Sequence, residues 1–196
     1  MTDNSGETRS TGRPRDTSID ERVFAATREL LLEVGWDDLS VRLVAARAGV
    51  GRSSVNRRWG SKAELVLHAI LGETPDLSPF SGTDLNGWIQ WVVRGSHELF
   101  SRDDVRAAVP GLLLALTQDA DLRSTLWSSF SGPAVALYAE HVDTDTAARR
   151  QRAELDARAT LVLAAGAALF LTAVATDDDT EALRRRIAQL LGNAIR

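Results

Sequence analysis

Apolar residues recur every three or four positions along most of this chain. Nowhere do β-branched and polar residues alternate as a half-buried strand requires, and no Asn-Gly hairpin signal stands between two strand-like runs. This periodicity confines the chain to an all-α fold. With 196 residues, 44% of them apolar, there is enough material to bury a core.

The punctuation divides the pattern into about nine helices. Residues 1–17 are rich in Thr, Ser, Gly, Asp and Arg and have the composition of a disordered arm. The first helix is expected after Ser18, with Ser18 and Glu21 as a capping box. Ile19, Val23, Ala26, Leu30 and Val34 form its apolar face, and Gly35 stops it. Ser40 caps a short second helix whose inner side carries Val41, Val44, Ala45 and Ala48. A third short helix lies between Gly51 and Gly60, and Ser61 and Glu64 open a fourth that reaches about Leu71. Two prolines, Pro75 and Pro79, mark residues 72–82 as a linker. Further helices are expected over about 84–100, over 103–117 with Pro110 as a kink or true start, and over 121–141 with a bend at Gly132-Pro133. Residues 143–155 are polar and read equally as loop or helix extension. The last two helices are expected over 156–175 and after the acids Asp177 to Asp179. The domains that follow are an arm (1–17), a smaller helical unit with its linking helix (18–71) and a larger helical domain (72–196).

The two short helices joined through Gly49-Val50-Gly51 have the form of a helix-turn-helix, with Gly49 supplying the left-handed residue that the turn needs. Val55 and Trp59, four apart, are placed to bury, which leaves Arg52, Ser53, Asn56 and Arg57 for a major groove. Net charge is −4, but residues 1–62 carry 11 Lys and Arg against 9 Asp and Glu, and the remainder 12 against 18. Between Gly51 and Lys62 stand Arg52, Arg57, Arg58 and Lys62 with no acid, a local basic patch suited to phosphate. Ser40, Arg42, Gly51 and Ser54 complete the candidate DNA-facing set, and Arg13 and Arg15 of the arm are candidates for a minor groove.

From Ile19 through Leu67 the chain closely resembles the TetR-family DNA-binding domain, on the turn AARAGV (45–50) and the junction RRWGSKAEL (57–65). It departs from the family pattern at Gly51, where a Ser or Thr usually opens the recognition helix, and at Asn56, where an aromatic usually braces a phosphate. The resemblance implies a homodimer that places one recognition helix of each protomer in a major groove, and a ligand cavity among the helices that follow the linker. Candidates to line that cavity are Trp88, Trp91, Arg94, His97, Leu113, Trp127 and Phe130, whose aromatic content suggests an apolar or aromatic effector.

The last two helices carry small residues that permit close approach, together with apolar area a monomer has trouble hiding. Leu161, Ala165, Leu169, Phe170, Leu183, Ile187, Leu190 and Leu191 are therefore the candidate dimer interface, closing as a four-helix bundle. Other chemistries lack residues. No cysteine is present, which excludes disulfides, zinc fingers and thiol nucleophiles and fits a reducing cytoplasm. His68, His97 and His141 have no metal-ligand spacing, no phosphate loop or nucleophile elbow occurs, and no cofactor is implied. The N-terminus has no apolar stretch of the signal-peptide kind. The 17 uncharged residues from Ala159 to Ala175 fall short of the roughly 20 that a membrane span needs, so they read as a buried helix. The expectation is a cytoplasmic, non-enzymatic regulator: a dimeric repressor that binds a palindromic operator in double-stranded DNA and is released by a small molecule. The alternative is a ligand-independent activator or architectural DNA-binding protein.

Overall fold

The computed structural model describes residues 17–72, 85–141 and 146–194, and every regular element among them is helical. The arm, with Arg13 and Arg15, and most of the expected linker lie outside the described residues. The order is α1 (Thr17–Asp38), α2 (Val41–Arg47), α3 (Arg52–Arg58), α4 (Lys62–Leu71), α5 (Leu85–Ser101), α6 (Asp103–Gln118), α7 (Ala120–Leu126), α8 (Gly132–His141), α9 (Ala147–Ala173) and α10 (Glu181–Ala194). A π-helical turn, Trp127–Ser131, separates α7 from α8, and a 3-10 turn, Thr176–Asp178, precedes α10.

Several expectations are corrected here. Helix α1 begins at Thr17, so Ser18 lies within its first turn instead of capping it. Its buried face is Val23, Phe24, Ala26, Thr27, Leu30 and Leu31, and Val34 is exposed because Gly35 (φ 72°, ψ −176°) turns the chain away immediately after it. Pro110 lies inside α6, where its missing amide costs one helical hydrogen bond. The single helix expected over 121–141 is two, divided by the π turn just before Gly132-Pro133. The polar stretch 147–155 is neither loop nor extension of α8. It forms the first turns of α9, which Thr146 caps by accepting from the Arg149 amide (3.3 Å). The acids Asp177 and Asp178 fall in the 3-10 turn, and Thr180 supplies the capping oxygen of α10 (3.2 Å to Leu183 N).

Two separate sets of buried side chains organise these helices. The first joins α1 to α4 with Val105, Ala108 and Leu112 of α6, Leu122 of α7 and Phe130. The core of the DNA-binding end thus continues past Leu71 into the helices beyond it. The second joins Trp88, Ile89, Val92 and Val93 of α5 with Val135 and Tyr138 of α8 and Ala153, Ala157 and Ala164 of α9. Ile187, Ala188 and Leu191 of α10 lie against it. The inward face of α9 is built of small residues, Ala153, Ala157, Thr160, Ala164 and Ala168, so α9 approaches α5 closely. Its buried hydroxyls are satisfied within the helix, Thr160 donating to Asp156 O (2.8 Å) and Thr172 to Ala168 O (2.9 Å).

Candidate nucleic-acid interface

The helix-turn-helix is set by its caps. Ser40 Oγ accepts from the Leu43 amide at 3.2 Å and starts α2. Gly49, at φ 66°, makes the turn, and Gly51 caps α3 with its backbone carbonyl alone. Ser61 Oγ accepts from Glu64 N at 3.1 Å. Glu64 reaches back to the Gly60 amide at 2.7 Å, one residue beyond the usual partner in a capping box.

Helix α3 is pinned by Val55 and Trp59, both buried. The Trp59 ring meets Phe24 of α1 with centroids 5.3 Å apart. Arg52, Ser53, Asn56 and Arg57 are exposed on the opposite side, joined by Arg42 from α2. The guanidinium groups of Arg42, Arg52 and Arg57 have no hydrogen-bond or ion-pair partner among the described residues. Three exposed cations thus stand on α2 and α3, and no acid occurs in the sequence between Leu39 and Ala63. At the other end of α2, Arg47 grips Glu33 through two bonds (2.7 and 2.6 Å). Those bonds, more than the charge itself, hold the Glu33 carboxyl below its usual range.

Three basic or polar residues of the expected set are committed elsewhere. Arg58 turns inward: its Nε lies 2.8 Å from Asp20 Oδ1 and its Nη1 donates to Ser54 Oγ at 2.9 Å, so both Arg58 and Ser54 are occupied holding α3 on α1. Lys62 donates to Trp36 O at 2.8 Å and lies over the Trp36 ring, 4.7 Å from its centroid. Asp20 and Trp36 did not stand out in the sequence. An acid on the inner side of an amphipathic helix is the one signal that marks Asp20.

The residues expected to line a cavity are dispersed. Phe130 is buried in the first core against His68 (5.4 Å). Trp88 is buried in the second core, edge-on to Tyr138 at 4.8 Å, and its indole N–H has no acceptor among the described residues. Leu113 is exposed, Trp91 is half-buried, and Trp127 sits at the surface under the Arg158 guanidinium (5.1 Å). Arg94 and His97 face a polar groove of about 950 Å³ between α5 and α10. There His97 Nε2 lies 2.7 Å from Asp179 Oδ2, and Arg184 also binds Asp179. Burial pushes the Asp179 carboxyl up, but bonds and charge from His97 and Arg184 outweigh it and leave that carboxyl below its ordinary value. A smaller notch of about 240 Å³ lies between α6 and α9, lined by Phe100, Arg106, Val109, Pro110, Leu169, Thr172 and Ala173.

Of the expected interface residues, Phe170, Leu183 and Leu190 are exposed. Leu161, Ile187 and Leu191 lean on the second core, Leu169 lines the notch, and Ala165 is half-buried. An exposed apolar row runs along α9 and its C-cap through Leu155, Ala159, Val162, Leu163, Gly166, Phe170 and Val174, sharing Phe170 with the expected interface.

Residues 23–69 match the family model of bacterial regulatory proteins, tetR family. Over 72 residues the chain is 33% identical to the uncharacterized HTH-type transcriptional regulator YdeS of Bacillus subtilis (strain 168). The match covers 37% of this chain and 36% of that protein, so the chain spans about a third of the curated relative's length. In fold it is similar to NalD, the secondary repressor of the MexAB-OprM multidrug efflux pump in Pseudomonas aeruginosa (18% identity, 91% of this chain and 97% of that one, TM-score 0.56). It is likewise similar to Salmonella enterica GusR (16% identity, 93% and 98%, TM-score 0.60). Match, turn geometry and exposed basic residues agree: residues 23–69 form a helix-turn-helix domain similar to that of bacterial regulatory proteins of the tetR family.

Proposed function

We propose that the protein acts in the cytoplasm as a homodimeric repressor that reads a palindromic operator in double-stranded DNA and releases it when a small effector binds. The observation that carries this reading is the exposed apolar row of α9. Val162, Leu163, Phe170 and Val174 are each more than half exposed, on a helix whose opposite face is already packed. An uncovered face of this length usually marks an interface. Leu183 and Leu190 of α10 extend it, and a two-fold axis through α9 and α10 makes a four-helix bundle. Two recognition helices then face one side of the duplex, about 34–36 Å apart where they read successive turns. Arg52, Asn56 and Arg57 meet bases or phosphates, and Arg42 meets phosphate. Ser40, as the cap of α2, and Gly51, as the cap of α3, bring backbone amides to the same surface.

For the effector, the notch beside α6 fits a small apolar or aromatic compound with an acidic handle. Its walls are apolar apart from Thr172, and Arg106 is its one charged residue. A second reading is a ligand-independent DNA-binding protein, favoured by the burial of Trp88 and Phe130, two of the expected cavity-lining aromatics, in the two cores. The experiment is to select bound fragments from a random DNA pool, then screen compounds for release. A palindromic consensus, two protomers per site and release by a compound of this class are expected. Phe170→Glu should give a monomer by sedimentation and lose the operator at the same time. A parent that is monomeric at micromolar concentration and still bound to the palindrome overturns the dimeric mechanism, and a complete screen without release favours the second reading.

A further inference from the structure

Trp36 lies where three chain segments converge, and each gives something up to hold it. Gly35 adopts φ 72°, ψ −176°, a region essentially closed to other residues, and so directs Trp36 off the axis of α1. Gly111, in the interior of α6, lies flat against the indole. A methyl carbon there would sit 2.1 Å from Trp36 Nε1, 2.2 Å from Cε2 and 2.3 Å from Cδ1. Glycine inside a helix is destabilising relative to alanine, so α6 accepts a weaker residue at the point where the indole rests. Lys62, the first residue of α4, adds a third contact, with its ammonium over the ring and a bond to the Trp36 carbonyl. Lys62 follows Trp59, Gly60 and Ser61 directly, so it fixes the exit of the recognition helix.

We infer that Trp36 is the seat through which α6 sets the attitude of the helix-turn-helix, and that Lys62 is a positioning residue for Trp36 and makes no phosphate contact. The inference rests on the DNA-binding reading. The recognition helix is held on α1 by Val55, Trp59 and Arg58, and the contact of Gly111, indole and lysine ties its exit to α6 beside the shared first core.

The test uses the full chain and the DNA selected for the parent. Gly111→Ala should leave helical content and oligomeric state unchanged while lowering operator affinity roughly tenfold, since overpacking a filled contact displaces the larger partner. Adding Trp36→Leu to Gly111→Ala should recover part of that loss. Lys62→Met keeps the stem and removes the charge. It should lower affinity while the slope of log K against log salt stays at the parent's value, whereas loss of a phosphate contact reduces that slope by about 0.9. A double-mutant cycle between positions 36 and 111 on unfolding, without DNA, should show coupling and keeps the test open if Gly111→Ala folds poorly. Parent-like binding by Gly111→Ala, absence of coupling in the cycle, or a slope reduced by about 0.9 in Lys62→Met each overturns the inference. Failure of the parent to select any DNA is a different result, since it removes the DNA-binding reading itself.

Discussion

Arg57 and Arg58 are adjacent and chemically identical, yet the fold assigns them opposite tasks. Arg57 is exposed without a partner among the described residues, whereas Arg58 is mostly buried against Asp20. Arg57→Ala should therefore leave unfolding by urea unchanged and weaken operator binding, reducing the salt slope by about 0.9 if it meets a phosphate. Arg58→Ala removes the cation beside a buried carboxylate and should cost on the order of 3 kcal/mol in the same unfolding experiment. Spacing alone made the inward direction of Val55 and Trp59 legible. It was silent on Arg58, whose fate depends on an acid contributed by another helix. Tyr138 offers a second test, since it is the chain's one tyrosine. Burial, helped by the charge of Asp156, pushes its phenol up to about 12. A phenol raised in this way contributes stability that is full below the unfolded value near 10 and is lost as pH rises through about 12. Spectroscopic titration of the native protein should show no tyrosinate near pH 10, and tyrosinate forming there in the folded state would contradict the burial.

At the scale of elements, the caps were legible and the interruptions were not. Ser40, Gly49 and Ser61 announce their turns because each fills a backbone need that few residues meet. Gly49→Ala forces a left-handed residue onto a side chain and should destabilise the protein by about 1–2 kcal/mol. That is readable as a lower urea midpoint with an unchanged slope, and a parent-like midpoint would mean that the turn relaxes. The polar start of α9 escaped because arginines at 149, 150 and 152 face solvent, so no apolar stripe marks those turns before Ala153 and Ala157 bury. The π turn escaped for a different reason. It moves the chain from the first core, which holds Leu122 and Phe130, to the second, which holds Val135 and Tyr138, a change of partner that no local pattern encodes. The small residues of α9 were legible as a means of close approach. Their partner was not, and Ala157, Ala164 and Ala168 turn toward the protein's own interior.

For the molecule as a whole, helical class and the position of the DNA-binding end followed from periodicity and from the residues of the turn. The arrangement of the larger domain did not, because it depends on which of several apolar faces meet. Two arginines secure the α4 end of that junction, Arg28 donating to Ala69 O (2.8 Å) and Arg102 to Ile70 O (3.1 Å). Arg28→Ala and Arg102→Ala together should loosen α4 against α1 and α6, seen as faster proteolysis at the junction with the helical signal retained; a parent-like digestion rate would show that the apolar contacts suffice. The two cores share no buried side chain, and the uncovered row of α9 belongs to the second of them. The proposed dimer would therefore stabilise the halves unequally. Mass action on that dimer would reach α5, α8, α9 and α10 directly and α1 to α4 through α6, α7 and the π turn. Amide exchange should then depend on protein concentration in one half of the chain and hardly at all in the other: on dilution, protection falls over α9 and α10 while the amides around Val44 and Val55 keep their rates. Equal loss of protection in both halves would mean that they open as one cooperative unit.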